Sequence, residues 1–234
     1  MLPKIDLPTY ELMLPVTKAV ILYRPFLVKE EKLLLMAAQG KDPKEITRSI
    51  MQVVNNCIID SGKVKIEELA SFEIDYLFLH MRGKSIGGTI KQEFACNNNV
   101  EGKKCGYITE VDISVNDALL TDAPKSDVIK LSDKLSLKMK YPKFKTYDTE
   151  KEGYEYDILI DCMDYVFDND KVYKFKEQTR DECIEFIEGL TKDKFMEIQA
   201  FYDSIPELII KKPFTCSKCG FQHVLELVDP LDFF

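Results

Sequence analysis

The feature that most constrains this chain is a cysteine pattern that occurs twice. Phe94-Ala95-Cys96 leads to Lys104-Cys105-Gly106-Tyr107, and Phe214-Thr215-Cys216 leads to Lys218-Cys219-Gly220-Phe221. Each copy reads aromatic-x-Cys, a turn, then Lys-Cys-Gly-aromatic, and an alternating strand follows. The second copy has the Cys-x2-Cys spacing of a zinc knuckle, whereas eight residues, 97–104, separate Cys96 from Cys105. The first copy is therefore a knuckle with an expanded loop. The glycine after each second cysteine can take positive φ, which lets the loop fold back and aim its amides at a thiolate.

Two such hairpins facing each other supply four thiolates in a tetrahedron, the usual closed site for one structural zinc ion. Cys96, Cys105, Cys216 and Cys219 are the candidate ligands. Because 110 residues, 106–215, lie between the copies, the ion would tie the middle of the chain to its end. Short hairpins have little core of their own, so metal binding would supply folding free energy. Four thiolates leave no open position, and no general base stands beside them, which argues against a catalytic zinc. The His-x-Glu motif of a zinc deaminase is missing as well. His223, four positions beyond Cys219, reads as a strand residue beside the knuckle rather than a ligand.

The remaining three of the seven cysteines, Cys57, Cys162 and Cys183, fall in helical apolar patterns and read as small core residues. An odd cysteine count with no signal peptide favours metal ligation and buried thiols over a disulfide framework, and the chain reads as cytosolic. No apolar run approaches the ~20 residues that cross a bilayer. Lys and Arg number 32 against 40 Asp and Glu, a net charge of −8 that disfavours a phosphate-gripping or anionic-lipid surface. The basic stretch Lys138, Lys140, Lys143 and Lys145, interleaved with Tyr141 and Phe144, then reads as a protein contact. His80 reads as a boundary residue on a helix. Ser85-Ile86-Gly87-Gly88-Thr89 fits neither a P-loop nor a dinucleotide fingerprint.

Periodicity makes the fold α+β. An N-terminal hairpin is expected from Tyr10–Leu14 and Ala19–Tyr23. A helix from Val28 to near Gly40 follows, then one opened by Asp42 as N-cap with Pro43 in its first turn, then one from Ser71-Phe72 to Gly83. Strict alternation of Val111, Ile113 and Val115 predicts a half-buried strand, with short strands at Val128–Leu131 and Leu135–Met139. After the polar stretch 143–153, helices are expected over Tyr154–Val166, after a capping box at Thr179-Arg180-Asp181-Glu182, and from Thr191 to Pro206. Asp157, Asp161, Asp164 and Asp168, followed by Asp170, then recur at helical spacing as a solvated acidic face; the EF-hand pattern fails. Four segments result: 1–84, hairpin plus helices; 85–142, the first knuckle and a β region; 143–206, helical; and 207–234, the second knuckle and tail. The second and fourth segments are expected to pack together as a zinc-ribbon-like pair, with the helices inserted between them.

The whole chain resembles the baseplate hub assembly proteins of T-even-type contractile-tail bacteriophages. The residues that carry the resemblance include Leu2-Pro3-Lys4-Ile5-Asp6-Leu7-Pro8-Thr9-Tyr10, Tyr23-Arg24-Pro25-Phe26-Leu27-Val28-Lys29-Glu30-Glu31-Lys32 and Phe72-Glu73-Ile74-Asp75-Tyr76-Leu77-Phe78-Leu79. Lys138-Met139-Lys140-Tyr141-Pro142, the Leu190–Pro206 helix, Cys216-Ser217-Lys218-Cys219-Gly220 and Leu231-Asp232-Phe233-Phe234 complete them. The resemblance implies a non-enzymatic assembly chaperone or hub component that binds other hub and tail proteins, with neither membrane nor nucleic acid as partner. Self-association is compatible with it. It places the chain in the host cytoplasm during phage assembly, with the virion tail baseplate as the alternative, and maps the family's knuckle cysteines onto Cys96, Cys105, Cys216 and Cys219. Leu231, Phe233 and Phe234 either pack on the core or anchor in a partner's pocket, as aromatic hot spots do. The alternative from another class is a zinc-ribbon regulator that binds nucleic acid, against which the net charge counts.

Overall fold

The computed structural model describes residues 5–228, without the side chain of Ile90. The fold is α+β. Two short strands, β1 (Tyr10–Met13) and β2 (Val20–Tyr23), form the opening hairpin. Helices α1 (Val28–Gly40) and α2 (Pro43–Cys57) follow, the second started by the Asp42 carboxylate accepting from the Lys44 amide at 2.9 Å. Then come β3 (Ile58–Asp60), α3 (Ser71–Ile86), β4 (Thr89–Ala95), β5 (Asn99–Val100), β6 (Lys103–Lys104), β7 (Ile108–Ser114) and β8 (Leu119–Leu120). The chain continues through β9 (Val128–Lys130), β10 (Ser136–Met139), α4 (Tyr154–Cys162), β11 (Met163–Phe167) and β12 (Val172–Lys174). It closes with α5 (Arg180–Glu188), α6 (Lys192–Asp203), β13 (Leu208–Thr215) and β14 (Gln222–Leu227).

These elements form two compact units. Among the described residues the first takes 5–66, Phe72–Leu120 and 207–228. It holds the antiparallel sheets β1-β2-β3 and β14-β13-β8, and the two-stranded pairs β4-β7 and β5-β6. The period-2 pattern of β7 buries Val111 and Ile113 and leaves Glu110 and Asp112 outside, and β14 likewise turns His223, Leu225 and Leu227 inward. With Leu79, Val115, Leu208 and Ile210 the apolar residues of these strands make one cluster, to which Phe94 and Phe214 are added at its edge. The cluster is the floor on which the cysteine hairpins stand.

Helix α3 approaches this cluster closely at a glycine. A Cβ on Gly83 would lie 2.6 Å from Cγ2 of Val115. Gly83→Ala therefore destabilises by about 1–3 kcal/mol through overpacking, even though alanine is the better helix former. Urea denaturation checks this, and adding Val115→Ala recovers part of the loss.

The second unit takes 67–71 and 121–206. Its sheet, order β12-β11-β10-β9, is antiparallel throughout. Ile129, Leu137, Met139 and Val166 from the sheet share one core with Leu159, Cys162, Cys183, Ile187, Ile198 and Phe201 from the helices. The capping box opens α5, with the Glu182 amide donating to Thr179 Oγ1 at 3.3 Å and the Thr179 amide to Glu182 Oε2 at 2.7 Å. The polar stretch 143–153 belongs to this unit and is tied down by ion pairs of Lys145 with Asp161 and Lys151 with Asp157.

One expected helix needs correction. Tyr154–Val166 is helical only to Cys162; Met163 turns extended (φ −95°, ψ 130°) and β11 pairs with β10 and β12 on both sides. Non-local pairing wins there because Met-Asp-Tyr-Val-Phe is rich in strand formers and can bury Met163 and Val166 against the core. The acidic helical face goes with it. Asp157 and Asp161 lie on α4, each paired with cations, while Asp164 is on a strand and Asp168 caps a turn by accepting from the amides of Asp170 and Lys171.

Candidate metal centre

Each cysteine hairpin is closed by the same two backbone bonds. Cys96 N–H donates to Tyr107 O at 2.8 Å and Gly106 N–H to Cys96 O at 3.0 Å; in the second copy Cys216 N–H reaches Phe221 O at 2.9 Å and Gly220 N–H reaches Cys216 O at 2.8 Å. Gly106 and Gly220 sit at φ +61° and +71°, the left-handed region these turns require. The eight residues between the cysteines of the first copy, six more than in the second, fold into a hairpin of their own, β5 against β6. Glu101 (φ +50°) and Gly102 (φ +81°) are its two turn residues, both left-handed as a type I′ turn demands. Cys105 N–H to Asn98 O, 2.8 Å, closes its base. The expansion thus leaves the knuckle's closing bonds as they are in the compact copy.

The strands beneath obey the same correspondence. Phe94 pairs with Thr109 across β4-β7, and Phe214 pairs with His223 across β13-β14. The two phenylalanine rings meet edge to face at 5.0 Å, which sets the two hairpins opposite each other. As a result the Sγ atoms of Cys96, Cys105, Cys216 and Cys219 all lie within 4.8 Å of one another. Cys96–Cys219 is 3.6 Å and Cys105–Cys216 is 4.0 Å. Ligands about 2.3 Å from a zinc ion at tetrahedral angles stand about 3.8 Å apart, so the spacing suits that ion. All four thiols are free of disulfide bonds.

Cys96 and Cys216 are buried, while Cys105 and Cys219 are half-buried. Burial pushes the Cys96 thiol up to about 12, and the crowding sulfurs add to this. A hydrogen bond from the Phe221 backbone amide, helped by Asn98, brings Cys219 down to about 6. The two thiols are thus shifted in opposite directions. Chemically, four soft thiolates form a complete coordination shell with no vacant position for a substrate.

The other sequence candidates do not join this cluster. Cys57, Cys162 and Cys183 are buried in α2, α4 and α5. His80 meets the Tyr76 ring edge-on at 4.4 Å. Lys138, Lys143 and Lys145 are ion-paired with Asp127, Glu68 and Asp161, and Tyr141 stacks on Phe201, so three of the four lysines of the basic stretch are engaged within the protein. Leu231, Phe233 and Phe234 lie outside the described residues. Sequence reasoning missed one neighbour of the cluster, Asn98, whose Nδ2 lies 3.7 Å from Cys219 Sγ; His223, expected as a strand residue beside the knuckle, stands on β14 with its Nε2 3.2 Å from Cys96 Sγ. The alternation of β14 was signal enough that His223 faces inward; nothing local reveals that it reaches the opposite hairpin.

Fold and site together define an α+β protein whose two cysteine hairpins converge on a tetrathiol cluster. The chain matches the family model described as T4 bacteriophage base plate protein over residues 7–234, and it belongs to that family. No curated protein and no solved structure matches it. Membership gives the chain a structural role in the phage baseplate, at the virion tail and among other baseplate proteins. Among the described residues no helix is long and apolar enough to cross a membrane.

Proposed function

We propose that the chain is a non-enzymatic assembly protein of the baseplate hub, a chaperone or a hub component, working by protein–protein contact. One structural zinc held by Cys96, Cys105, Cys216 and Cys219 stabilises it. The observation that carries the reading is the tetrahedral spacing of four free sulfurs from hairpins 110 residues apart in sequence. Family membership supports the setting. The net charge of −8 and the paired lysines 138, 143 and 145 favour protein over nucleic acid as partner. Assembly takes place in the host cytoplasm, and the tail segment with Leu231, Phe233 and Phe234 supplies an aromatic anchor.

The test is affinity capture from a phage-infected lysate with the tagged full chain and with a chain ending at Pro230. Hub proteins are expected with the full chain and at reduced yield with the shorter one, whose melting temperature stays unchanged. A large fall in melting temperature would place the two phenylalanines in the core, and capture of no baseplate protein would contradict the hub reading.

A further inference from the structure

We propose that His223 is a positioning residue for the metal centre. It donates its Nε2–H to the Cys96 thiolate and makes Cys96 the slowest of the four sulfurs to leave the ion; this rests on the reading that the cluster holds zinc. His223 is a polar side chain only 7% exposed, so its ring nitrogens need partners within the protein. Nε2 lies 3.2 Å from Cys96 Sγ. A bound zinc makes Cys96 a thiolate, which only accepts, so the proton then belongs on Nε2.

Three rings fix the imidazole in that direction. It stacks on Phe214 (5.1 Å, 19°), and Phe221 and Phe94 meet it at 4.8 and 5.3 Å. Its counterpart in the first hairpin, across from Phe94 as His223 is across from Phe214, is Thr109. Thr109 Oγ1 is buried with no hydrogen-bond partner among the described residues. At this strand position the near-twofold site therefore has a side-chain donor on one half only; the contact of Asn98 Nδ2 with Cys219 Sγ is longer, at 3.7 Å, so the sulfurs are unequal.

The distance also separates this role from direct ligation. A nitrogen and a sulfur bound to one zinc at tetrahedral angles stand about 3.6 Å apart, whereas a charge-assisted hydrogen bond draws them closer. Donation to the thiolate withdraws charge from the sulfur, which protects it from protons and electrophiles. It also orients the lone pair toward the ion.

The test uses the full chain loaded with zinc or cobalt(II). His223→Phe fits the aromatic surroundings without the donor, and His223→Gln keeps one. Zinc transfer to a chromophoric chelator is expected about tenfold faster from His223→Phe than from the native chain, and within about threefold of native from His223→Gln. The cobalt sulfur-to-metal charge-transfer band shifts in the Phe variant alone, while the ligand-field bands of a four-sulfur site persist in all three. A second measurement needs no variant. Cys96 and Cys216 are equally buried, at 3% and 0%, so alkylation of the zinc-loaded native chain should reach Cys216 before Cys96. Equal release rates, equal or reversed alkylation, or a native cobalt spectrum of three sulfurs and one nitrogen would overturn the assignment. A native chain that takes up neither metal would instead remove the zinc reading, and this role with it.

Discussion

Cys216→Ser is expected to abolish metal binding and to open both cysteine hairpins while the remainder of the chain stays folded. Serine's hydroxyl remains protonated at neutral pH and is a poor ligand for a thiophilic ion, so three sulfurs are left around a vacant corner. Structural zinc sites in small peptides bind with about 10–16 kcal/mol of apparent free energy, and that energy enters folding wherever the unfolded chain has no preformed site. On the proposed zinc reading, much of the local structure here depends on it. β5 and β6 are two residues each, and the strand residues nearest the knuckles, Ala95, Ile108, Thr215 and Gln222, are exposed. The apolar cluster of Val111, Ile113, Leu208, Ile210 and Leu225 lies further along the strands and survives without the ion. A melting temperature lower by about 10 °C or more is expected. Trypsin reports the change locally, because Lys103 and Lys104 are exposed on the first knuckle and become cleavable when the turns loosen. Cys183→Ala, in the other unit, keeps the metal.

The second large effect is expected at Arg24. Its guanidinium donates to Pro25 O and Asn56 O, both at 2.9 Å, and to the Glu30 carboxylate at 3.1 and 3.4 Å. Glu30 also accepts the Leu27 amide at 2.8 Å, and its side chain is only 1% exposed. Arg24→Ala leaves that carboxylate buried without its main cation and costs about 3–5 kcal/mol. Replacing both residues by methionine recovers most of the loss, since no charge is then buried. The pH dependence carries a sign. Burial alone would raise the Glu30 carboxyl, but hydrogen bonds from Arg24 and Leu27 outweigh it and hold the group below its ordinary value. The native chain therefore gains stability from this carboxylate above the usual carboxylate range and loses it as pH falls through the lowered value. In Arg24→Ala the burial effect dominates, so the same group makes the chain less stable as pH rises through that range. Chemical denaturation from about pH 3 to about pH 7 distinguishes the opposite slopes.

What the sequence made legible follows from how local each signal is. The Asp42-Pro43 start of α2, the Thr179 box of α5 and the alternation of β7 are written in residues that touch one another, and each element stands where its signal lies. Strand β11 was not legible, because what makes it a strand is the pairing with β10, on the far side of the polar stretch and α4. The apparent acidic helix face dissolved for the same reason. For the candidate site, the duplicated Lys-Cys-Gly-aromatic pattern foretold which sulfurs belong together, since the glycines and closing bonds of each knuckle are local. The hairpin folded within 97–104 and the reach of His223 to Cys96 were not readable, the first because it needs two left-handed turn residues and the second because it joins residues 127 apart.

In the proposed zinc site, sulfurs from mid-chain and tail share one ion. Native mass spectrometry of the full chain, purified without chelator, measures it most directly. One zinc per chain, lost in Cys216→Ser, is the predicted result; a metal-free chain under zinc-replete conditions, or one whose four knuckle cysteines are joined as disulfides, would contradict it.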